Sequence, residues 1–232
     1  MNLKSEIDKY FWQNEIGDRV YPGIFLFDEI SEYIKSSVSN KINLGQEKFI
    51  NDCFEKRKNE VEHFSNLIHQ STNVPKEKVL KHIKLRLIKT FRGLYGEAIL
   101  ENIYSKSKKY ELIKVTSEED YILRIDMKVK EIMTGRILNY QIKSSSFSRT
   151  PTTFTKTILE KEKKIHKEYG IKVVYVYYNH DFSERYFQFE DNIVSIYGYG
   201  NSNIKDIEEA TDKLFKNHEQ AFEKVTTETI IF

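Results

Sequence analysis

Apolar residues recur at three- and four-residue intervals through the first third of the chain. Phe27, Ile30, Tyr33 and Ile34 keep this spacing, and a second set keeps it in part: Phe49, Cys53, Val61, Phe64, Leu67 and Ile68. Such spacing places side chains on one face of an α-helix, so residues 1 to about 75 are predicted to be mainly helical. Asn73-Val74-Pro75 interrupts the pattern and predicts a boundary there.

A second and more regular apolar stripe begins after Pro75. Its members step by three or four residues: Val79, Ile83, Leu87, Phe91, Leu94 and Ala98. This stripe predicts one long helix with a single buried side. Gly93 and Gly96 lie inside that helix, where they permit either a kink or close packing against a neighbour.

Helical spacing gives way to alternation after Tyr110. Strands are predicted over 111–116, 121–131 and 137–144, the second with alternating apolar residues: Tyr121, Leu123, Ile125, Met127 and Val129. A helix over 154–169 follows, with Gly170 as its C′ residue, and then a strand over 171–178. Further strands near 185–190 and 193–199 and a helix near 204–222 complete the prediction.

The strand over 171–178 is continuously apolar and aromatic apart from Lys172. This composition is typical of a central strand that is covered on both faces. The helix over 154–169 has the length of a right-handed crossover from the strand over 137–144. We therefore predict an α/β fold with a mixed sheet, in which a helical region (1–75) precedes a second domain (76–232).

Composition and cysteine usage narrow the class of protein. Only 39% of the 232 residues are AVILMFWYC, but 15 Phe and 15 Tyr supply the large anchors of a folded core. Cys53 is the only cysteine, which excludes an intrachain disulfide and a multi-cysteine zinc site. The chain shows neither a signal peptide nor an apolar run of spanning length, so we expect a soluble cytoplasmic protein without a membrane partner.

Charge is distributed unevenly although the net charge is only +2. Seven cations and one acid lie between Lys76 and Arg92, whereas three cations and six acids lie between Ile204 and Glu223. A basic middle and an acidic end are expected if a polyanion meets one face of the protein. Lys78, Lys81 and Lys84 are the candidate contacts, although a Lys-rich helix also has this pattern when one side is simply solvated.

Met133-Thr134-Gly135-Arg136 is predicted to form the turn between the strands over 121–131 and 137–144. A turn centred between Thr134 and Gly135 would place Asp126 opposite Lys143 and Lys128 opposite Gln141. All four side chains would then point to the same face of the sheet.

This arrangement suits a divalent cation. Asp is a poor strand residue, and a carboxylate that binds Mg²⁺ would justify its presence, because Mg²⁺ prefers carboxylate and amide oxygens. Lys143 would orient or deprotonate the attacking water, or neutralise charge on a phosphate in the transition state. A second carboxylate is needed, and we expect it to be Glu97 on the preceding helix, with Glu101 on the same helical face as the alternative.

These residues and elements resemble the PD-(D/E)xK nuclease superfamily, which includes many type II restriction endonucleases and the archaeal Holliday junction resolvases. The resemblance covers about 90–178 and implies a restriction-endonuclease-like αβββαβ core. It implies catalytic roles for Glu97, Asp126, Gln141 and Lys143, with Mg²⁺ held by Asp126, Glu97 and Gln141. Ile125 stands where the family often has Pro, and Gln141 replaces the usual second acid.

The leading hypothesis is therefore a Mg²⁺-dependent endonuclease of double-stranded DNA, of type II restriction character and homodimeric, with residues 1–75 serving dimerisation or DNA recognition. One alternative is a structure-specific resolvase or repair nuclease. Another is a non-catalytic nucleic-acid-binding module with a decayed site, and a third is a surface Asp–Lys pair beside an unrelated helical Glu. Ser145, Ser146 and Arg149 either contact the DNA backbone or belong to an ordinary polar loop.

Overall fold

The computed structural model describes residues 24–42, 44–145, 153–179, 185–196 and 203–228. The chain forms two compact units, one up to Tyr95 and one from Gly96 onward, and the division falls inside a long helix. Four helices lie in or begin in the first unit: α1 (Phe27–Ser39), α2 (Gln46–Lys56), α3 (Lys58–Thr72) and α4 (Lys76–Tyr104). The helical character predicted for 1–75 is thus confirmed over its described residues.

The core of the first unit forms around the predicted apolar stripe of α4. Val79, Ile83, Leu87 and Phe91 are each at most 1% exposed, and the Phe91 ring lies 4.9 Å from that of Phe49 on α2. The predicted interruption before this helix is also present. Asn73 ends α3 in the left-handed conformation with φ 56°, and Pro75 precedes the first turn of α4.

The second unit is built on a six-stranded sheet whose strands lie side by side in chain order. The strands are β1 (Tyr110–Ile113), β2 (Met127–Glu131), β3 (Ile137–Ser144), β4 (Val173–Asn179), β5 (Tyr186–Phe189) and β6 (Asn192–Ser195). Three helices accompany them: α5 (Ser117–Tyr121), α6 (Thr153–Glu168) and α7 (Ile204–Glu228). The predicted mixed α/β class is confirmed.

The parallel pair at the centre of the sheet is β3 and β4, and the other neighbouring pairs are antiparallel. Parallel neighbours require a crossover connection, which α6 provides as predicted. Gly170 follows this helix with φ 63°, a left-handed value that favours glycine and ends the helix. The structure confirms the bounds predicted for β3 and places α6 within one residue of its predicted range.

One predicted strand is wrong in its first half. Tyr121, Leu123 and Ile125 have the spacing of one strand face, but the chain instead ends the short helix α5 at Tyr121 and turns, and β2 begins only at Met127. The reason is a capping box, in which the Thr116 hydroxyl accepts from the Glu119 N–H and the Glu119 carboxylate accepts from the Thr116 N–H. Asp126 therefore lies immediately before β2.

The two faces of the sheet carry different kinds of side chain. On one face the Tyr104 hydroxyl of α4 lies 3.2 Å from that of Tyr140 and 2.7 Å from that of Thr211 on α7. The opposite face carries Gln141, Lys143 and Tyr175 under α6. The alternation of β3 thus separates an aromatic core from a polar layer.

Gly96 permits the close approach of α4 to the sheet. A Cβ at this position would lie 2.8 Å from Cδ1 and 2.9 Å from Cγ of Tyr178, whose side chain is 1% exposed. We expect Gly96→Ala to lower the free energy of unfolding by about 1–3 kcal/mol, because overpacking outweighs the better helix propensity of alanine.

Gly93→Ala is the matched control, since nothing lies within 4 Å of a Cβ there. It should raise the free energy of unfolding by up to about 1 kcal/mol. Urea unfolding of both variants checks the pair. Equal effects of the two substitutions would contradict the close approach at Gly96.

Candidate functional site

The register of β2 against β3 differs from the prediction by two residues. Lys128 pairs with Asn139 and Met127 with Tyr140, so Asp126 stands beside Gln141 and not opposite Lys143, and Lys128 is not opposite Gln141. The hairpin loop is longer than predicted. Glu131 pairs with Arg136, and within the loop the Gly135 N–H donates to the Glu131 carbonyl at 2.8 Å. An even shift keeps every side chain on its predicted face.

The side chain of Glu131 accounts for this longer loop. Its buried carboxylate accepts hydrogen bonds from the Thr134 hydroxyl and the Arg136 guanidinium. Gly135 completes the turn with φ 74°, where a residue with a Cβ is disfavoured. A buried acid that collects two donors from the loop thus sets the pairing of β2 with β3.

The Asp126 carboxylate is held directly by β3. Its Oδ2 accepts hydrogen bonds from the Gln141 amide Nε2 and the Ile142 N–H, both at 2.6 Å. Its own N–H donates to the Tyr140 carbonyl at 2.9 Å. Asp126 is therefore fixed at the edge of the polar layer by backbone and side-chain bonds.

Burial dominates the ionisation of Asp126. The residue keeps some exposed surface, but protein atoms surround its carboxyl, and this desolvation raises its pKa from 3.8 to about 7. The Ile142 N–H and the charge of Lys143 act in the opposite direction, whereas the acids Asp120 and Glu162 raise the pKa further. Without a cation, the carboxyl is thus poised between its neutral and charged forms near neutral pH.

Buried Gln141 and half-buried Lys143 of β3 lie beside this carboxylate. Gln141 is 4% exposed, and its Oε1 has no hydrogen-bond partner although its Nε2 donates to Asp126. Lys143 donates from Nζ to Glu162 Oε1 at 2.7 Å. Lys143 is thus not opposite Asp126 as predicted and forms an ion pair with Glu162, although its charge still acts to lower the pKa of Asp126.

Glu162 is the residue of this site that the sequence analysis missed. It lies on α6 with its side chain 9% exposed, and its Oε2 is buried without a partner. The apolar positions Ile158, Leu159 and Ile165 indicate which side of α6 faces the sheet, and Glu162 falls on that side. A charged residue within an apolar stripe was the available signal.

His166, one turn beyond Glu162, closes the polar layer. Its Nε2 lies 2.7 Å from the Leu123 carbonyl, and its ring centroid lies 6.1 Å from that of Tyr175. Tyr175 pairs with Gln141 across β3 and β4, and its buried hydroxyl lies close to the Glu162 carboxylate. Burial raises the pKa of Tyr175, and the charge of Glu162 and its contact with the hydroxyl raise it further, so the phenol stays neutral.

Glu97 and Glu101 lie on α4, and both are half-buried. Among the described residues, no three His, Cys, Asp or Glu side chains come together as a metal site. A cation at Asp126 would therefore have few acidic ligands and would complete its shell with amide or water oxygens, as Mg²⁺ commonly does. The role of Glu97 in such a shell stays a prediction.

The predicted DNA contacts differ in their surroundings. Lys78, Lys81 and Lys84 are exposed on α4, and Lys84 Nζ lies 5.3 Å from the centroid of the Phe54 ring. Ser145 is 7% exposed, and its hydroxyl donates to Asn179 Oδ1 at 3.4 Å, so it contributes to packing at the end of β3. Ser146 and Arg149 lie outside the described residues.

Comparisons with known proteins add no further constraint. No protein-family model, curated protein or solved structure matches the chain. In the described part of the chain, no helix combines the length and the apolar character needed to cross a membrane.

The raised pKa of Asp126 makes the stability of the metal-free protein depend on pH. The unfolded chain loses this proton near 3.8 and the folded protein near 7, so ionisation opposes folding across that window. We expect Asp126→Asn to gain stability relative to the wild type as pH rises from 4 to 7, by up to about 1.4 kcal/mol per pH unit.

Urea unfolding in EDTA at pH 4, 5.5, 7 and 8 measures this difference. Asp191→Asn, at an exposed position in the turn between β5 and β6, is the control and should follow the wild type. A constant difference between Asp126→Asn and the wild type at every pH would show that the carboxyl is not desolvated.

Proposed function

We propose that this protein is a Mg²⁺-dependent endonuclease of double-stranded DNA, with the character of a sequence-specific type II restriction enzyme of the PD-(D/E)xK superfamily. It acts as a cytoplasmic homodimer, since a two-fold protein matches a palindromic site. The main support is the hydrogen bond from Gln141 to the Asp126 carboxylate, because Gln141 lies two residues before the half-buried Lys143 on the same face of β3. The order α4, β1 to β3, crossover helix α6 and β4 supports this assignment, with the short helix α5 inserted between β1 and β2.

The residues present suit a hard divalent cation. Asp126 supplies a carboxylate, and Gln141 Oε1 is a buried oxygen without a partner on the same amide that bonds Asp126. Oxygen ligands of this kind are those that Mg²⁺ prefers. When bound, Mg²⁺ would supply positive charge against the negative charge that builds on the phosphate. Glu97 is the further acid that we propose as a ligand.

Lys143 is the group that we propose acts on the nucleophile or on the phosphate. Its side chain is 16% exposed, and its ammonium is held by Glu162 at 2.7 Å, which restricts its position without neutralising the site completely. In a low-dielectric environment a fixed ammonium stabilises developing negative charge more strongly than it would in water. Lys143 would orient the attacking water or offset charge in the transition state.

The exposed lysines of α4 would supply sequence-independent affinity. Lys78, Lys81 and Lys84 follow one another at three-residue intervals and are all exposed. Lysines so placed neutralise phosphates along a DNA backbone and release counterions. The first unit would thus contribute to DNA binding, in addition to any role in dimerisation.

A non-catalytic nucleic-acid-binding module is the second candidate. Two observations favour it: Gln141 is neutral, and no three-acid metal cluster occurs among the described residues. A structure-specific resolvase or repair nuclease is the remaining alternative. The digestion experiment described next distinguishes it from a restriction enzyme.

The decisive experiment incubates a long DNA of known sequence with the protein in Mg²⁺ or in EDTA and maps the ends that form. We expect discrete fragments in Mg²⁺ alone. Asp126→Ala should abolish cleavage but retain DNA binding, and Lys143→Ala should slow single-turnover cleavage by about 10²–10⁴-fold. Asp120→Ala, at an exposed position nearby, is the control that should still cut.

Each outcome of the digestion is informative. Cutting only at branched or damaged substrates would identify a structure-specific nuclease, and binding without cutting in any divalent ion would favour the non-catalytic module. Normal cleavage by both Asp126→Ala and Lys143→Ala would refute the assignment of this site.

Reversing the charge of Lys78, Lys81 and Lys84 to Glu should weaken DNA binding equally at all sequences. The salt dependence of log K should flatten by about 0.9 per lost phosphate contact. Fluorescence anisotropy at several salt concentrations measures both effects. The matched control reverses Lys205, Lys213 and Lys216, which are exposed on the acidic helix α7. A loss confined to one DNA sequence would mean that α4 reads bases.

A further inference from the structure

Glu162 is a buried carboxylate whose second oxygen has no partner. Oε1 accepts from Lys143 Nζ at 2.7 Å, whereas Oε2 is buried and forms no hydrogen bond, although the carboxylate interacts with the Tyr175 phenol. Burial of a charged oxygen without a hydrogen bond costs free energy, so such a group calls for an explanation. One ion pair with Lys143 explains only half of this side chain.

A second unbonded oxygen lies in the same polar layer. Gln141 is only 4% exposed, and its Oε1 has no partner while its Nε2 donates to Asp126. The charge of Glu162 acts on Asp126, and both acids act on Tyr175, which pairs with Gln141. Gln141 binds Asp126, and Lys143, two residues further along the same face of β3, binds Glu162, so the oxygens of Asp126, Gln141 and Glu162 belong to one polar layer.

We propose that Glu162 is the second carboxylate ligand of the divalent cation, binding it through Oε2 together with Asp126 and Gln141 Oε1. Oε1 of Glu162 would keep its bond to Lys143, so that one side chain both binds the cation and positions the ammonium. This inference rests on the proposed function for the use of the cation, but the binding site itself requires only these oxygens.

The charges of the site are consistent with this role. Two carboxylates and one ammonium leave the layer with a single negative charge, which a divalent cation more than neutralises. Gln141 adds an oxygen without adding charge, so the helix-borne Glu162 replaces the acid that the strand lacks. A hard cation with two carboxylates, one amide oxygen and waters has an ordinary ligand set.

Binding of Mn²⁺ to the full-length protein without DNA tests this role, with free Mn²⁺ followed by electron paramagnetic resonance. We expect Glu162→Gln to weaken Mn²⁺ binding by at least about tenfold. Loss of a residue that only hydrogen-bonds to a metal ligand already lowers metal affinity by about 10–100-fold, and loss of a ligand should cost at least as much. Glu160→Gln, at an exposed position two residues earlier on α6, is the matched control and should bind like the wild type. Wild-type affinity in Glu162→Gln would overturn the proposal.

The double variant Glu162→Gln with Lys143→Met guards against misfolding, since it also removes the lysine that loses its ion pair with Glu162. We expect it to bind Mn²⁺ as weakly as Glu162→Gln, whereas Lys143→Met alone should bind at least as tightly as the wild type. If Glu162 only served to pair with Lys143, the double variant would recover wild-type affinity, and the proposal would be wrong.

The same titration on Glu97→Gln separates this inference from the proposed function. A loss in Glu97→Gln with none in Glu162→Gln would overturn the role of Glu162 and leave the nuclease proposal intact. A loss in Glu162→Gln in a protein that cuts no DNA would support the cation site and contradict the nuclease proposal.

Discussion

The parallel pairing of β3 with β4 is the constraint on which the second unit depends. Six residue pairs join the two strands, from Asn139–Val173 to Ser144–Tyr178. Parallel neighbours cannot be joined by a tight turn, so the chain must cross over the sheet, and α6 lies on the face that carries Gln141, Lys143 and Tyr175. The crossover thereby brings Glu162 to Lys143, a contact between residues on separate elements.

The polar layer beneath α6 is unusual because hydrophobic burial does not explain it. Buried ion pairs often stabilise a protein less than apolar side chains of the same volume would. The opposite face shows what packing alone favours. There the centroid of the Tyr140 ring lies 6.3 Å from that of Tyr104 and 6.1 Å from that of Phe189. Charged groups retained under such a cost are typical of functional sites, where perturbed ionisation and unsatisfied oxygens serve a ligand.

The sequence predicted the elements better than their pairing. The alternation of β3 and the crossover to β4 depend on local spacing and were predicted correctly, as was the stripe of α4. The register of β2 depends on the bonds that Glu131 makes to its loop, which spacing does not reveal. The start of β2 could have been predicted from the sequence, because Thr116 and Glu119 have the spacing of a capping box. The helix that this capping box begins replaces the first half of the predicted strand. Placing Glu162 in the site from the sequence would have required both the side of α6 that faces the sheet and the position of α6 over β3.

The neutral residue at position 141 has a physical reason in this geometry. The Asp126 carboxyl is already desolvated enough to raise its pKa to about 7, and Glu162 adds a like charge nearby. A third carboxylate at position 141 would face both acids with only Lys143 to compensate, and it could not donate a hydrogen bond to Asp126 when ionised. Gln141 instead donates through Nε2 at 2.6 Å and still presents an oxygen. The acid on the helix and the amide on the strand are therefore complementary. Glu162 supplies a negative charge that Gln141 lacks, and the neutral Gln141 avoids adding a third negative charge beside Asp126 and Glu162.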